Sequence, residues 1–269
     1  MSTKLATVTL ATGPSVSYAE QGDPSGPALV LLPGPTDSWR SYQPVLDHLP
    51  LSIRTFAVSQ RGHGDSDKPA TGYRVENFAD DAVALLDALG VERAILAGHS
   101  GSCLVVRRVA IDSPERVAGL VLEASPTTLH GDAGLEAFVE SVVSELEDPI
   151  GPDFARSVLV DTSSNNVAPA LLDQLVGELL KVPARVWREV FADLLTYDDT
   201  ADLARIAATV LLIRGDSDRV VAREMQEQLQ ERISRTELVA YPGVGHTPRW
   251  EVPARFAADV ANFVERSFS

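Results

Sequence analysis

Apolar and polar positions along the chain follow two periods in turn. "ALVLLP" (Ala28–Pro33), "RAILAGHS" (Arg93–Ser100), "VAGLVLEAS" (Val117–Ser125) and "ATVLLIRG" (Ala208–Gly215) are short, nearly continuous apolar runs. Strands buried on both faces read this way. "RTFAVS" (Arg54–Ser59) and "TELVAYPG" (Thr236–Gly243) predict two more strands, and the chain opens on another two, about Leu5–Ala11 and Ser15–Glu20, split by a Gly-Pro turn. Helical spacing takes over in "VENFADDAVALLDALG" (Val75–Gly90), where Val83, Leu86 and Leu89 share one side and Gly90 stops the helix. It returns in "GSCLVVRRVAIDSP" (Gly101–Pro114), "AREMQEQLQERI" (Ala222–Ile233) and "PARFAADVANFVERSF" (Pro253–Phe268). Strand and helix in alternation predict a mostly parallel sheet with helices on both faces.

One stretch breaks the alternation. From about Thr127 to Leu203 only helical patterns occur: "GLEAFVESVVSELE", "DFARSVLVD", "PALLDQLVGELLKV" and "ARVWREVFADLLTY". This is too long for a plain loop. The predicted organisation is a core of residues 1–126 and 204–269, with a helical lid of residues 127–203 over the C-terminal edge of the sheet.

Composition narrows the classes of function. The 269 residues are 45% hydrophobic and 23% charged, enough to bury a sizeable core, and the formal net charge is −15. Such a charge argues against nucleic acid or anionic membrane as partner. It fits a neutral small-molecule substrate. A homodimer is compatible with it. Cys103 is the single cysteine, which excludes an intramolecular disulfide, and with five histidines makes a structural zinc cluster unexpected. The start of the chain lacks a basic region followed by an apolar one, and no run approaches the ~20 apolar residues of a membrane span. The expected location is the cytoplasm.

The chemistry concentrates where strands end. In "AILAGHSGSCLVV" a buried strand turns into a helix at Ser100, flanked two positions either way by Gly98 and Ser102. A nucleophile on so sharp a turn needs small neighbours, or strand and helix would collide. The helix N-terminus beneath it favours developing negative charge. "LLIRGDSDRVV" places Asp216 and Asp218 after a later strand, and "YPGVGHTPRWEVP" places His246 after the last one. Ser, acid, His is the chain order of a catalytic triad on this kind of sheet. The hydroxyl is a weak nucleophile, so a base must take its proton, and a carboxylate must hold that base in one tautomer.

Taken together, "QRGHGDSDKP" (Gln60–Pro69), "GHSGS", "GDSD" and "GVGHTPRWEVP" resemble the α/β-hydrolase-fold superfamily over nearly the whole chain. The resemblance implies an eight-stranded, mostly parallel sheet with a helical lid inserted after the sixth strand. It implies Ser100 as nucleophile, His246 as base and Asp218 as acid, with Asp216 shaping the turn. Glu123, after the preceding strand, is an alternative acid. It also implies an oxyanion hole with one donor at the Gly101 N–H and one from the loop after the third strand. That loop usually begins His-Gly. Here it reads Pro33-Gly34-Pro35, and Pro35 has no N–H to give. Losing such a donor costs about 2.7–4 kcal/mol of transition-state stabilisation. Thr36, one residue on, is the expected replacement through its N–H or hydroxyl.

Each residue also has a plain structural role to weigh. Ser100 and Asp218 could be helix caps, and His246 an ordinary loop histidine. His99 is expected against the strand ends, His63 within its own Gly-rich turn, His48 and His130 at the surface, and Cys103 as a small core residue. Trp250 is core or pocket wall. Pro35, Trp39, Phe138, Trp187 and Phe191 are the candidate pocket residues. The expected activity is serine hydrolysis of a carboxylic ester or lactone through an acyl-enzyme, with no metal or organic cofactor. The same triad could cleave a C–C or amide bond or transfer the acyl group elsewhere. A ligand-binding module with little turnover is the rival from outside enzymology. The Asp-nucleophile members of the superfamily, haloalkane dehalogenases and epoxide hydrolases, are disfavoured because position 100 is Ser.

Overall fold

The computed structural model describes residues 3–163 and 167–268. Eight strands form one sheet: β1 Lys4–Thr9, β2 Ser15–Gln21, β3 Ala28–Leu32, β4 Arg54–Val58, β5 Ala94–His99, β6 Val117–Glu123, β7 Thr209–Gly215 and β8 Thr236–Tyr241. Their spatial order is β1-β2-β4-β3-β5-β6-β7-β8. β2 runs antiparallel to β1 and β4, and every pairing from β4 through β8 is parallel. The first strand ends two residues earlier than its apolar pattern suggests, because Leu10 and Gly13 close a turn through the Leu10 and Pro14 backbones.

The sheet divides the core in two, and β3 shows how. Val30 and Leu32 face one layer, Leu29 and Leu31 the other, as the two-residue period of a strand requires. The first layer is covered by α2 (Val75–Ala88) and α3 (Ser102–Asp112). The second is covered by a short α1 (Gln43–Leu46) and by the C-terminal helix, whose Phe256, Val260 and Phe263 are fully buried. Each such side chain contributes about 1.5–3 kcal/mol by leaving water.

Between β6 and β7 lie α4 (Ala133–Phe138), a π-helical turn (Val139–Val143), α5 (Pro152–Thr162), α6 (Pro169–Leu179) and α7 (Ala184–Leu194). Arg107 of α3, with no exposed side-chain surface, holds both ends of this insertion. Its guanidinium donates to the carbonyls of Pro126 (2.8 Å) and Thr127 (2.9 Å) and to the buried carboxylate of Asp199 (Nε–Oδ2 3.0 Å). In the last turn of α7, Asp193 accepts the Val75 N–H at the start of α2 (2.8 Å). The insertion also reaches the turn after β5, where a Cβ on Gly101 would lie 3.2 Å from Leu194 Cδ1. After β7 the chain continues through α8 (Arg223–Arg232), β8, α9 (Pro248–Glu251) and α10 (Pro253–Phe268).

Candidate active site

Ser100 follows β5 directly and has φ 52°. That left-handed backbone is costly for a residue with a side chain and is kept only where surrounding structure enforces it. Here the Ser100 N–H donates to the Glu123 carbonyl (2.9 Å), and α3 starts two residues later. Gly98 has no alternative: a Cβ there would lie 2.5 Å from the Ser102 carbonyl oxygen. Ser102 is accommodated because its side chain has a use. Its hydroxyl donates to the Pro33 carbonyl (2.6 Å) and accepts from Gln60 Nε2 (2.9 Å). The turn after β3 is thus tied to the turn after β5.

Asp218 and His246 meet. His246 Nδ1 is 2.9 Å from Asp218 Oδ2, and both side chains are almost wholly shielded from solvent. The other carboxylate oxygen, Oδ1, accepts the Val220 and Val221 N–H groups (2.8 and 3.0 Å). Backbone donors therefore hold the carboxylate while its second oxygen orients the imidazole, leaving Nε2 free to handle a proton. Glu251 steadies the histidine loop by accepting the Gly245 N–H (3.0 Å) and the Thr247 hydroxyl (3.1 Å). His99 lies beneath, its ring centroid 4.8 Å from that of His246 and its Nε2 3.0 Å from the His246 carbonyl. A carbonyl only accepts, so His99 Nε2 is the protonated nitrogen.

Glu123 is engaged elsewhere. Its Oε1 accepts the Arg249 N–H (2.9 Å), and the Tyr42 hydroxyl donates to its Oε2 (3.4 Å). Burial raises its carboxyl above the usual range, against the pull of the Arg249 charge. Arg249 also holds Asp37 (Nη2–Oδ2 2.7 Å) and Ser41 (Nε–Oγ 2.8 Å). This fully buried arginine joins the histidine loop to the loop after β3.

That loop is a turn of defined type. The Asp37 N–H donates to the Gly34 carbonyl (3.2 Å), Pro35 occupies the second position, and Thr36 has φ 72°. A proline second and a positive φ third make a type II turn, a place glycine usually takes. Thr36 is buried. Pro35 lies so close to Gly101 that a Cβ on Gly101 would be 2.9 Å from Pro35 Cγ.

The sequence from residue 27 to residue 253 matches the alpha/beta hydrolase fold family. The chain belongs to that family. Among similar proteins, a non-heme chloroperoxidase from Streptomyces lividans is 28% identical over 97% of this chain and all of its own length. A 2-(acetamidomethylene)succinate hydrolase from Mesorhizobium japonicum is 27% identical over 93% of this chain and 92% of its own. Among solved structures, an esterase from Rhodococcus sp. superposes with a TM-score of 0.81 at 29% identity, covering 97% of this chain and 98% of that one. A hydrolase from Pseudomonas aeruginosa superposes at 0.84 with 26% identity, covering 97% and 98%.

In this hydrolase fold a narrow cavity adjoins Gly101 and Ser102. Pro35, Gln60, His63, Tyr73, Val190 and Leu194 are among its walls. Pro35 is the one pocket candidate found there. Trp39 packs in the opposite core layer with Tyr42 and Leu46. Trp187, 1% exposed, stacks on Phe191 (5.6 Å), which meets Phe138 edge-on (5.7 Å). These three rings pack on one another within the helical insertion, Trp187 buried and Phe138 and Phe191 partly so. The residues that sequence reasoning passed over are Arg249, Asp37 and Gln60. A charged residue three positions after His246, between Pro248 and Trp250, was the available sign of Arg249.

Among the described residues no cluster of three or more His, Cys, Asp or Glu could hold a metal ion, and no helix is long and apolar enough to cross a membrane.

Proposed function

We propose that the protein is a serine hydrolase of carboxylic esters or lactones, working through an acyl-enzyme. Ser100 attacks the carbonyl carbon while His246 takes its proton; Asp218 holds His246 in the required tautomer and stabilises the imidazolium. The oxyanion is met by the Gly101 N–H at the start of α3 and by Thr36. His246 then protonates the leaving alcohol and activates the water that releases the acid. Residues 127–203 act as the lid, and the apolar walls of the cavity suit a neutral, moderately hydrophobic substrate.

The observation that carries this reading is the shielded Asp218–His246 pair, 2.9 Å apart, in a chain whose Ser100 stands on a strained strand-to-helix turn. The type II turn also bears on the missing donor. With no N–H on Pro35, Thr36 is the next residue of the loop with one to offer. The test is labelling by a fluorophosphonate, run beside Ser100→Ala, followed by assays on short p-nitrophenyl esters. Ser100-dependent labelling and turnover support the hydrolase. An unlabelled wild-type protein refutes it and favours a binding module.

A further inference from the structure

The cavity beside Gly101 has mostly apolar walls, among which a few buried polar groups stand out. Gln60 (8% exposed) and His63 (1% exposed) line it, and each carries a buried atom without a hydrogen-bond partner among the described residues, Gln60 Oε1 and His63 Nε2. A buried polar atom left unpaired costs about 1–3 kcal/mol, so each such atom asks for a reason.

Both atoms are acceptors. His63 Nδ1 is 2.7 Å from the Arg61 carbonyl, which only accepts, so Nδ1 carries the hydrogen. Burial pushes the imidazole down to about 4, so the ring is neutral at pH 7 and Nε2 presents a lone pair. The Gln60 amide is oriented by the Pro33 carbonyl, 3.1 Å from Nε2, which assigns Oε1 as the free end. Two further polar side chains in the wall offer no donor. The Ser102 hydroxyl is given to Pro33, and the Tyr73 hydroxyl to the Pro69 carbonyl (2.7 Å). Asp193, on the lid side, adds a carboxylate. The remaining walls are apolar, including Val75, Phe78 and Val105.

From this arrangement we propose that the cavity is a subsite for a small hydrogen-bond donor, a hydroxyl or amide N–H, carried on the acyl part of the substrate. The proposal rests on the hydrolase reading above. Assignment to the acyl part follows from position. The leaving alcohol must lie near His246 to be protonated, and His246 is not among the cavity walls, whereas Gly101 and Pro35, beside the oxyanion turn, are. The room for water-sized groups is about 20 Å³, enough for about one hydroxyl at the end of a short arm.

The test compares matched esters in which a terminal hydroxyl replaces a methyl: p-nitrophenyl 3-hydroxypropanoate against butanoate, and hydroxyacetate against propanoate. The expected result is a kcat/KM preference of about 5- to 10-fold for at least one hydroxyl ester, the size of one added hydrogen bond. His63→Phe and Gln60→Met should each bring that ratio near one. Equal rates for both partners of each pair in the wild type would overturn the proposal. If either variant misfolds, the wild-type ratio still decides. Should the wild type cleave no ester at all, the hydrolase reading fails by itself. Calorimetry with 3-hydroxypropanamide against butanamide then tests the subsite alone: tighter binding of the hydroxyl compound supports it, and equal or absent binding refutes it.

Discussion

Asp218 Oδ2 lies 2.9 Å from His246 Nδ1, while Glu123, the other carboxylate at the strand ends, is bound to Arg249 and Tyr42. The two acids thus have separable consequences. Asp218→Asn should lower kcat on the order of 10⁴-fold, the size seen when a triad histidine loses its orienting carboxylate, with little change in stability. Glu123→Gln should keep the triad but weaken a buried ion pair, costing about 3 kcal/mol of stability in urea unfolding. If Glu123→Gln alone abolishes turnover while the protein stays folded, Asp218 is the wrong acid.

Thr36 is a β-branched residue at φ 72°, where a side chain costs about 1–2 kcal/mol. Thr36→Gly keeps the N–H and relieves that strain. We expect a modest rise in melting temperature and kcat within a few-fold of wild type. A fall of about 10²–10³ in kcat would instead assign the oxyanion contact to the hydroxyl.

Arg107 and Asp199 pin the helical insertion to the helix that follows Ser100, with both side chains fully buried. Asp199→Asn or Arg107→Met should destabilise the fold by about 3–5 kcal/mol, because each leaves a buried charge uncompensated. Replacing both with Leu and Met should recover part of the loss. Denaturant unfolding of the single and double variants measures this coupling.

Burial, more than the neighbouring Lys68 charge, pushes His63 down from 6.5 to about 4. A base depressed in the folded state takes up a proton first when unfolded. Its contribution is therefore intact above pH 6.5 and is lost as pH falls toward 4. The expected loss is about 2 kcal/mol between pH 7 and pH 5. His63→Phe should flatten the pH dependence of unfolding free energy by that amount. An unchanged slope would contradict it.

Cys103 is buried, and burial pushes its thiol up to about 12. Thiolate is the reactive form, so iodoacetamide should leave the native protein unmodified at pH 8 and modify it once urea unfolds it. Rapid alkylation of the folded protein would show that the helix after Ser100 opens locally.

Much of this molecule is a local affair and is legible in the sequence. The apolar runs and the helical spacing mark the strands and helices because a strand buried on both faces and an amphipathic helix each leave a period in the chain. The Gly98–Ser102 turn is legible for the same reason: close backbone approach admits only small residues there. The family pattern carries the chain order of Ser100, Asp218 and His246. Tertiary structure alone decided which carboxylate meets His246, since Asp218 and Glu123 both follow sheet strands and differ only in what surrounds them. It also decided that Trp187 stacks on Phe191 and Phe191 meets Phe138, because periodicity marks the apolar face of a helix without naming its partner. Arg249 binding Asp37, and Gln60 and His63 sharing a cavity with Gly101 and Leu194, depend on residues far apart in the chain being desolvated together. Such contacts have no period, and only folding brings them within hydrogen-bonding distance.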